Sequence, residues 1–213
     1  LLWNKTWGGY GDDFGASIAI DSSNIYVVGE TESYGAGGYD SFLLKYDLNG
    51  NLIWYKTWGG SNNDMAESIA VLSSNIYVVG ETKSYGVGAA DAFVLKYDLN
   101  GNIFWCKTWG GGKYETAYSI AVFSSNIYVT GYTLSFGAGG EGAFILKCNL
   151  EGGGGAVKAP QTDKGKIIPG FGIEVSLISI CIASSIVLTR MNQKVWFIRQ
   201  RKGHHTGTCQ KKL

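Results

Sequence analysis

Short apolar segments separated by Gly, Asn and Ser recur along the first 150 residues of the chain. In the middle part of this stretch they are residues 68–72, 75–82, 91–99 and 102–109. Each segment is rich in β-branched or aromatic side chains, which favours strands, and the Asn-Gly turn in DLNGN joins the last two as a tight hairpin. No helical periodicity occurs before residue 167. The pattern therefore predicts four antiparallel strands.

This four-strand pattern returns with a period of 51 residues. Residues 3–53 and 54–104 are identical at 34 of 51 positions without a gap, and the third copy, 105–150, keeps the same frame. Four antiparallel strands per repeat of this length describe the blade of a β-propeller. We predict an all-β propeller of 51-residue, four-stranded blades, three of which lie in this chain.

The usual propeller order arranges each blade from the inner strand outward as SIAV, NIYVVGET, FLLKYD and LIWYKTW. In this order residues 1–7 are an outer strand with no inner strands before it, and the third blade ends after its third strand. We expect an outer strand borrowed from the N-terminal side to close the ring, supplied by an upstream segment or by pairing between molecules. We also expect an upstream signal sequence and at least one more blade, since propellers usually have roughly four to eight blades.

The repeated KTWGG, SIAV, SSNIYVVGET and NGNLIW motifs resemble the SBBP family of β-propeller repeats, found in bacterial and archaeal surface proteins. YDLNGNLIW is also similar to the Trp-docking hairpin of PQQ-type propeller repeats. The SBBP resemblance covers residues 1–150. The third copy departs from the first two, because Gly142 matches Asp40 and Asp91, and Cys148 matches Tyr46 and Tyr97. The resemblance implies a propeller fold and an exterior location, but no chemistry.

The C-terminal part of the sequence is typical of a membrane anchor. Residues 151–166 are a Gly-rich linker, and 167–189 contain a 19-residue apolar span, 171–189, with Glu174 as its one charge. As a helix this span is roughly 28 Å long, near the ~30 Å hydrocarbon core of a bilayer. The tail 190–213 has seven Lys and Arg and no acid, which predicts a cytoplasmic C-terminus and extracellular repeats. A buried core helix is the alternative, which these flanks disfavour.

Pro169, Gly170 and Phe171 stand directly before this span. Together with it they resemble the archaeal PGF-type C-terminal sorting signal. The resemblance implies cleavage by an archaeosortase-like membrane transpeptidase and a lipid-anchored product. The long tail after the basic cluster departs from that family, so plain stop-transfer anchoring is the alternative.

Charge and histidine content exclude several kinds of function. Residues 1–166 contain 11 Lys, no Arg and 16 acids, which disfavours nucleic-acid binding. Both histidines, His204 and His205, lie in the tail, so the repeats lack a Ser-His-Asp or Cys-His site and a His-ligated zinc. We predict no catalytic residue, no metal site, no cofactor and no enzymatic activity.

One acidic position recurs in all three copies, as Asp13, Asp64 and Glu115. The three acids are candidate ligand-binding residues if they converge on a ring at the channel mouth, where they would hold a cation or a polar ligand. In the alternative, each acid caps the loop between an outer strand and the next inner strand.

Three further residues bear on an exterior location. Cys106 and Cys148 occupy the last two strands of one repeat unit, either as a disulfide or as two isolated core thiols. Asn4 opens an Asn-Lys-Thr glycosylation sequon within the predicted outer strand. Glycosylation of Asn4 requires that this strand be exposed.

Taken together, the repeats and the anchor predict a membrane-anchored cell-surface propeller that serves as a non-enzymatic binding, adhesion or envelope protein. Its partners would be the membrane and a surface glycan or protein. The alternative is an extracellular propeller enzyme acting on a polysaccharide or a quinone, with its active site in blades outside this sequence.

Overall fold

The computed structural model describes residues 1–150 and the two-residue strand Ser179–Ile180. The first sheet contains β1 (Asp13–Ile20), β2 (Asn24–Thr31), β3 (Asp40–Asp47) and β4 (Leu52–Trp58). The second contains β5 (Asp64–Leu72), β6 (Asn75–Thr82), β7 (Asp91–Asp98) and β8 (Ile103–Trp109). The third contains β9 (Glu115–Phe123), β10 (Asn126–Thr133) and β11 (Gly142–Asn149). Residues 1–150 contain no helix.

Among the strands of residues 1–150, neighbours in each sheet are consecutive and antiparallel, so the predicted all-β fold and the predicted order of strands along each sheet are confirmed. The prediction of 68–72 for the first strand of the second sheet was wrong by four residues, because β5 begins at Asp64. Asp64 pairs with Thr82, and the register shifts between Ala66 and Ser68. This β-bulge carries the strand through a polar stretch that the apolar pattern does not mark.

The predicted Asn-Gly hairpin is also confirmed. Gly50 and its counterpart Gly101 both have φ of 79°, a conformation that glycine adopts at little cost. The Gly50 N–H donates to the carbonyl of Asp47 at 3.0 Å. The Asp47 carboxylate accepts the N–H groups of Asn49 and Asn51 at 2.9 and 2.8 Å. The acidic residue of DLNGN therefore stabilises the turn.

The glycine of the VVGET motif is required by a close approach between strands. A Cβ atom at Gly80 would collide with the carbonyl oxygen of Met65, next to the bulge in β5. Gly29 and Gly131 meet the first strands of their own sheets in the same way. Any larger residue at these positions would push the first two strands of the sheet apart.

The core lies between the sheets. One buried cluster joins Tyr26, Val28 and Leu43 of the first sheet to residues of the second, among them Ile69 and Phe93. A second cluster joins the second sheet to the third in the same way. The first strands of successive sheets are neighbours, β1 beside β5 and β5 beside β9. The three sheets thus stack like successive blades of a propeller.

Residues 1–7 differ from their prediction, because they lie outside any strand. The described residues place no strand beside them to share backbone hydrogen bonds. Asn4 of the sequon is exposed in this segment and not within a strand. Trp7 nevertheless packs against Phe42, with ring centroids 4.8 Å apart.

The linker, the sorting motif Pro169–Gly170–Phe171 and the tail lie outside the described residues, as does all of the apolar span except two residues. Those two, Ser179–Ile180, form β12, which pairs antiparallel with Lys107 and Thr108 of the edge strand β8. Within the described part of the chain, no helix has the length and apolarity needed to cross a membrane. The membrane helix stays a prediction.

Candidate functional site

The recurrent acid of each repeat lies at the start of the first strand of its sheet, inside a cluster of hydrogen bonds. The Asp64 carboxylate accepts the Thr82 hydroxyl, the Ser84 hydroxyl at 2.6 Å and the Gly60 N–H at 2.7 Å. Thr and Ser come from the end of the second strand and the loop after it, and Gly60 from the loop after β4. We call this arrangement the acid–Thr–Ser cluster.

The same cluster forms in the other two sheets. Asp13 accepts the hydroxyls of Thr31 and Ser33, and Glu115 accepts the Thr133 hydroxyl at 2.8 Å. Partial burial acts to raise the pKa of Asp13, but the hydrogen bonds from Thr31, Ser33 and Gly9 outweigh it and lower that pKa. Each acid therefore stabilises the loop between an outer strand and the next inner strand.

These contacts are the ones that the loop-capping alternative requires. Asp64 and Glu115 are fully buried, and their donors come from their own sheet and the loop that leads into it. Asp13 is half-buried. Binding of a ligand by Asp13, Asp64 and Glu115 stays a prediction, and the geometry gives all three a structural role.

A second acid stands at the boundary between the first two sheets. Asp40 is buried, and its Oδ2 accepts the N–H groups of Ala36 at 2.7 Å and Gly37 at 3.1 Å. Its Oδ1 has no hydrogen-bond partner and lies against Gly59, which also touches Asp64. Burial, which is the largest effect, raises the pKa of Asp40 against the N–H groups of Ala36 and Gly37, which lower it, and the charge of Asp64 raises it further. Such an oxygen retains its capacity to accept a hydrogen bond.

Asp40 borders an open pocket of about 620 Å³ that is rich in aromatic side chains. Its wall includes Tyr34, Tyr55 and Trp58, together with the hydroxyl-bearing Ser33 and Thr57. The Tyr34 and Tyr55 rings are partly exposed, with centroids 5.6 Å apart. We call this site the aromatic pocket.

The sequence does not mark this pocket as a site, since its residues come from three separate segments. One signal was available: Tyr55 is matched by Cys106 in the next repeat, so the first sheet alone combines the two tyrosines. Aromatic faces beside a few polar groups suit ligands that present a flat apolar face and hydroxyl groups.

Acidic side chains of the first two sheets also gather in one place. Glu30 of β2, Glu67 of β5 and Glu81 of β6 lie close enough to influence one another, which we call the inner acidic cluster. Burial first, and then the charges of Glu67 and Glu81, raise the pKa of Glu30; burial and Glu81 raise that of Glu67. Glu81 lies 3.7 Å from the ammonium group of Lys83 and accepts the Thr116 hydroxyl at 2.5 Å.

Within the part of the chain that the structure describes, no three His, Cys, Asp or Glu side chains are arranged to hold a metal ion. Cys148 is a buried free thiol, so the disulfide alternative with Cys106 is not formed. Burial raises the pKa of Cys148, against an opposing effect of Lys107. Its thiol is therefore part of the core between the second and third sheets.

The fold places this chain in the class of all-β proteins that are made of stacked, repeated antiparallel sheets. No protein-family model matches the chain. The chain is 32% identical over 140 residues to a protein of Caulobacter vibrioides named regulatory protein FlaEY. The match includes 57% of this chain but only 15% of that protein, so the chain spans a small part of the relative's length.

Proposed function

We propose that the stacked sheets form a non-enzymatic binding module, displayed at the cell surface and held there by the C-terminal span. The aromatic pocket carries the proposal, because it combines exposed tyrosine rings with hydroxyl groups. The resemblance to SBBP repeats and the predicted anchor support the location. The relative from Caulobacter vibrioides is named as a regulatory protein.

The ligand class follows from the chemistry of the pocket. Tyr34 and Tyr55 offer ring faces to the less polar side of a sugar, while the Thr57 hydroxyl can exchange hydrogen bonds with its hydroxyls. We therefore propose a surface glycan as the ligand.

A glycan array probed with the 213-residue chain, in detergent, tests the proposal. We expect binding to one group of glycans, weakened at least about tenfold by Tyr55→Ala, which removes an exposed ring. Tyr10→Ala is the matched control, since Tyr10 is fully exposed and does not line the pocket. Equal binding by wild type and Tyr55→Ala would contradict the site. Turnover of a bound glycan in a parallel hydrolase assay would instead favour the extracellular enzyme.

A further inference from the structure

Two buried carboxyl groups meet at the boundary between the first and second sheets. Asp40 of β3 is 1% exposed, and Asp64 of β5 is 0% exposed. A Cβ atom at Gly59 would overlap Asp40 Oδ1 and lie 2.9 Å from Asp64 Oδ2, so both oxygens border the space that this glycine leaves open. A glycine at this position therefore allows the two acids to come close together.

The same acid–Gly–acid arrangement recurs at the boundary between the second and third sheets. A Cβ atom at Gly110 would overlap Asp91 Oδ1 and lie 2.6 Å from Glu115 Oε2. Asp91 and Glu115 are buried as completely as their counterparts. Each boundary lies between two described sheets that share a core. The arrangement is thus part of the repeat.

The two acids of the first pair differ in the donors that surround them. Asp64 accepts the hydroxyl groups of Thr82 and Ser84 and the N–H group of Gly60. Asp40 accepts two N–H groups, both on Oδ2, while its Oδ1 has no hydrogen-bond partner. Hydrogen-bond donors favour the ionised form of a carboxyl group. Of the two acids, Asp40 is therefore the one that is neutral at lower cost.

Two ionised carboxylates at this boundary would repel each other. Within residues 1–150, no Lys lies within ion-pair distance of either carboxyl group. Among the elements packed around Asp40, β2 places Thr31 opposite it. The loop after β6 brings the Tyr85 hydroxyl to the Gly59 carbonyl at 2.9 Å. Asp64 of β5 is thus the charged group that acts on Asp40, and two carboxyl groups that share a site favour a state with one charge.

We propose that Asp40 holds a proton on Oδ1 while Asp64 is ionised, and that this proton keeps the loop between β2 and β3 closed. With the proton in place, Asp40 Oδ2 accepts the N–H groups of Ala36 and Gly37 at 2.7 and 3.1 Å. When the proton leaves to solvent, a second charge is buried beside Asp64. That charge gains water only if Asp40 and its loop move away from Gly59. We call this device the Asp40 latch.

The direction of the pH effect follows from the raised pKa of Asp40. Burial, the largest effect, and the charge of Asp64 raise this pKa above its ordinary value of 3.8, against the N–H groups of Ala36 and Gly37. The latch is therefore complete below 3.8 and is lost as pH rises to the folded-state pKa. Over that interval the ratio of closed to open loop falls about tenfold per pH unit, because one proton is involved, and it is constant at higher pH.

Carbon-13 NMR of the 213-residue chain in detergent, labelled at the aspartate carboxyl carbons, tests the proton directly. The Asp40 signal is identified by its absence in Asp40→Asn. We expect it to titrate above 3.8, and titration at or below 3.8 would overturn the proposal.

Hydrogen exchange of the Ala36 and Gly37 amides tests whether the proton closes the loop. We expect their protection factors to fall about tenfold per pH unit above 3.8 and to level off at the pH where the Asp40 signal titrates. In Asp40→Asn the side-chain oxygen can still accept both N–H groups but carries no charge at any pH. Protection in this variant should therefore not change with pH.

The amides of Asn49 and Asn51 are the internal control for the exchange measurement. They donate to the Asp47 carboxylate at 2.9 and 2.8 Å, and the hydrogen bonds from Asn51 lower the pKa of Asp47. Asp47 is therefore ionised over this range, and protection of its donors should stay constant. Equal protection of the two latch amides at every pH in wild type would overturn the proposal. The same pH dependence in Asp40→Asn would also overturn it, since another group would then control the loop.

The consequence of the latch for binding rests on the proposed function. Tyr34 and Ala36 of the closed loop line the aromatic pocket, so opening of the loop removes part of its wall. Glycans that bind the wild-type chain on the array should bind more weakly at pH 7 than at pH 4, whereas binding to Asp40→Asn should not change between these values. Wild-type binding that is equal at both pH values, although the loop opens, would overturn this consequence. Absence of glycan binding at either pH would contradict the proposed function alone, because the carboxyl titration and the exchange measurement need no ligand.

Discussion

Trp58, the last residue of β4, packs its ring against Phe93 in the middle of the next sheet, with centroids 4.7 Å apart. The contact recurs between Trp109 and Phe144 at 4.5 Å. The Trp side chain that ends one sheet is thus part of the core shared with the following sheet. Stacking of the sheets depends on a residue that belongs covalently to the preceding blade.

Trp58→Ala should therefore lower the free energy of unfolding by about 3–5 kcal/mol, the usual cost of removing a large buried aromatic side chain. Urea unfolding followed by circular dichroism measures the loss. Trp3→Ala is the control, because Trp3 is 44% exposed in the N-terminal segment, whereas Trp58 is 8% exposed. Equal losses for both variants would show that Trp58 does not join the sheets.

The two acids at the first sheet boundary should respond in opposite directions to the same substitution. Asp64→Asn should destabilise the fold by roughly 1.5–3 kcal/mol or more, since the buried carboxylate accepts several hydrogen bonds that an amide cannot all accept. Asp40→Asn keeps an oxygen for Ala36 and Gly37 and removes one of two adjacent buried acids. We expect its unfolding midpoint in urea at pH 7 to rise, and a fall comparable to that of Asp64→Asn would contradict this interpretation.

Gly80 of the VVGET motif provides a test of the close approach between β5 and β6. Gly80→Ala should destabilise the chain by about 1–3 kcal/mol, because the new Cβ meets the Met65 carbonyl oxygen in a packed sheet. Gly112→Ala has open space around the same atom and should leave thermal stability nearly unchanged. If Gly80→Ala left the stability of the chain unchanged, β5 and β6 would be further apart than the structure shows.

The inner acidic cluster should make stability depend on pH. Because the folded-state pKa values of Glu30 and Glu67 are raised above 4.5, the folded chain takes up protons at a higher pH than the unfolded chain. Their contribution to stability therefore rises as pH falls from neutral towards 4.5 and is lost as pH rises. The lowered pKa of Asp13 acts oppositely, since its contribution is present above 3.8 and lost as pH falls further.

Urea unfolding at pH 7, 5 and 3 should thus give the highest midpoint near pH 5. In the Glu30→Gln, Glu67→Gln variant the difference between pH 7 and pH 5 should shrink, because the two titrating groups are gone. An unchanged difference would assign the effect to other acids, with Asp40 the first to examine.

Much of the fold is predictable from the sequence, because strands that are apolar on both faces and repeat every 51 residues have few ways to pack. The strand Asn75–Thr82 was predicted to the residue. The start of β5 was not, since Asp64 and Glu67 are polar and the bulge between Ala66 and Ser68 breaks the alternation. Residues 1–7 have a sequence typical of a strand. They do not form one, because no described strand lies beside them to share backbone hydrogen bonds.

The sites were harder to predict, because each depends on contacts between repeats. The recurrence of Asp64 made it a candidate ligand-binding residue. The hydroxyl groups of Thr82 and Ser84 donate to its carboxylate and give it a structural role. Glu30 and Glu81 occupy the same position of two repeats, a signal that could have been found. Glu67 joins them only through the bulge in β5, which the sequence does not reveal.

The location of the repeats decides most directly whether the proposed surface function holds. Protease added to intact cells should digest residues 1–150, while an epitope placed after Lys202 stays protected or leaves with a cleaved sorting peptide. The prediction follows from the seven cations and no acid in residues 190–213, which favour a cytoplasmic tail. Digestion of the epitope in unbroken cells, or survival of the repeats in cells that expose a control surface protein to cleavage, would contradict it.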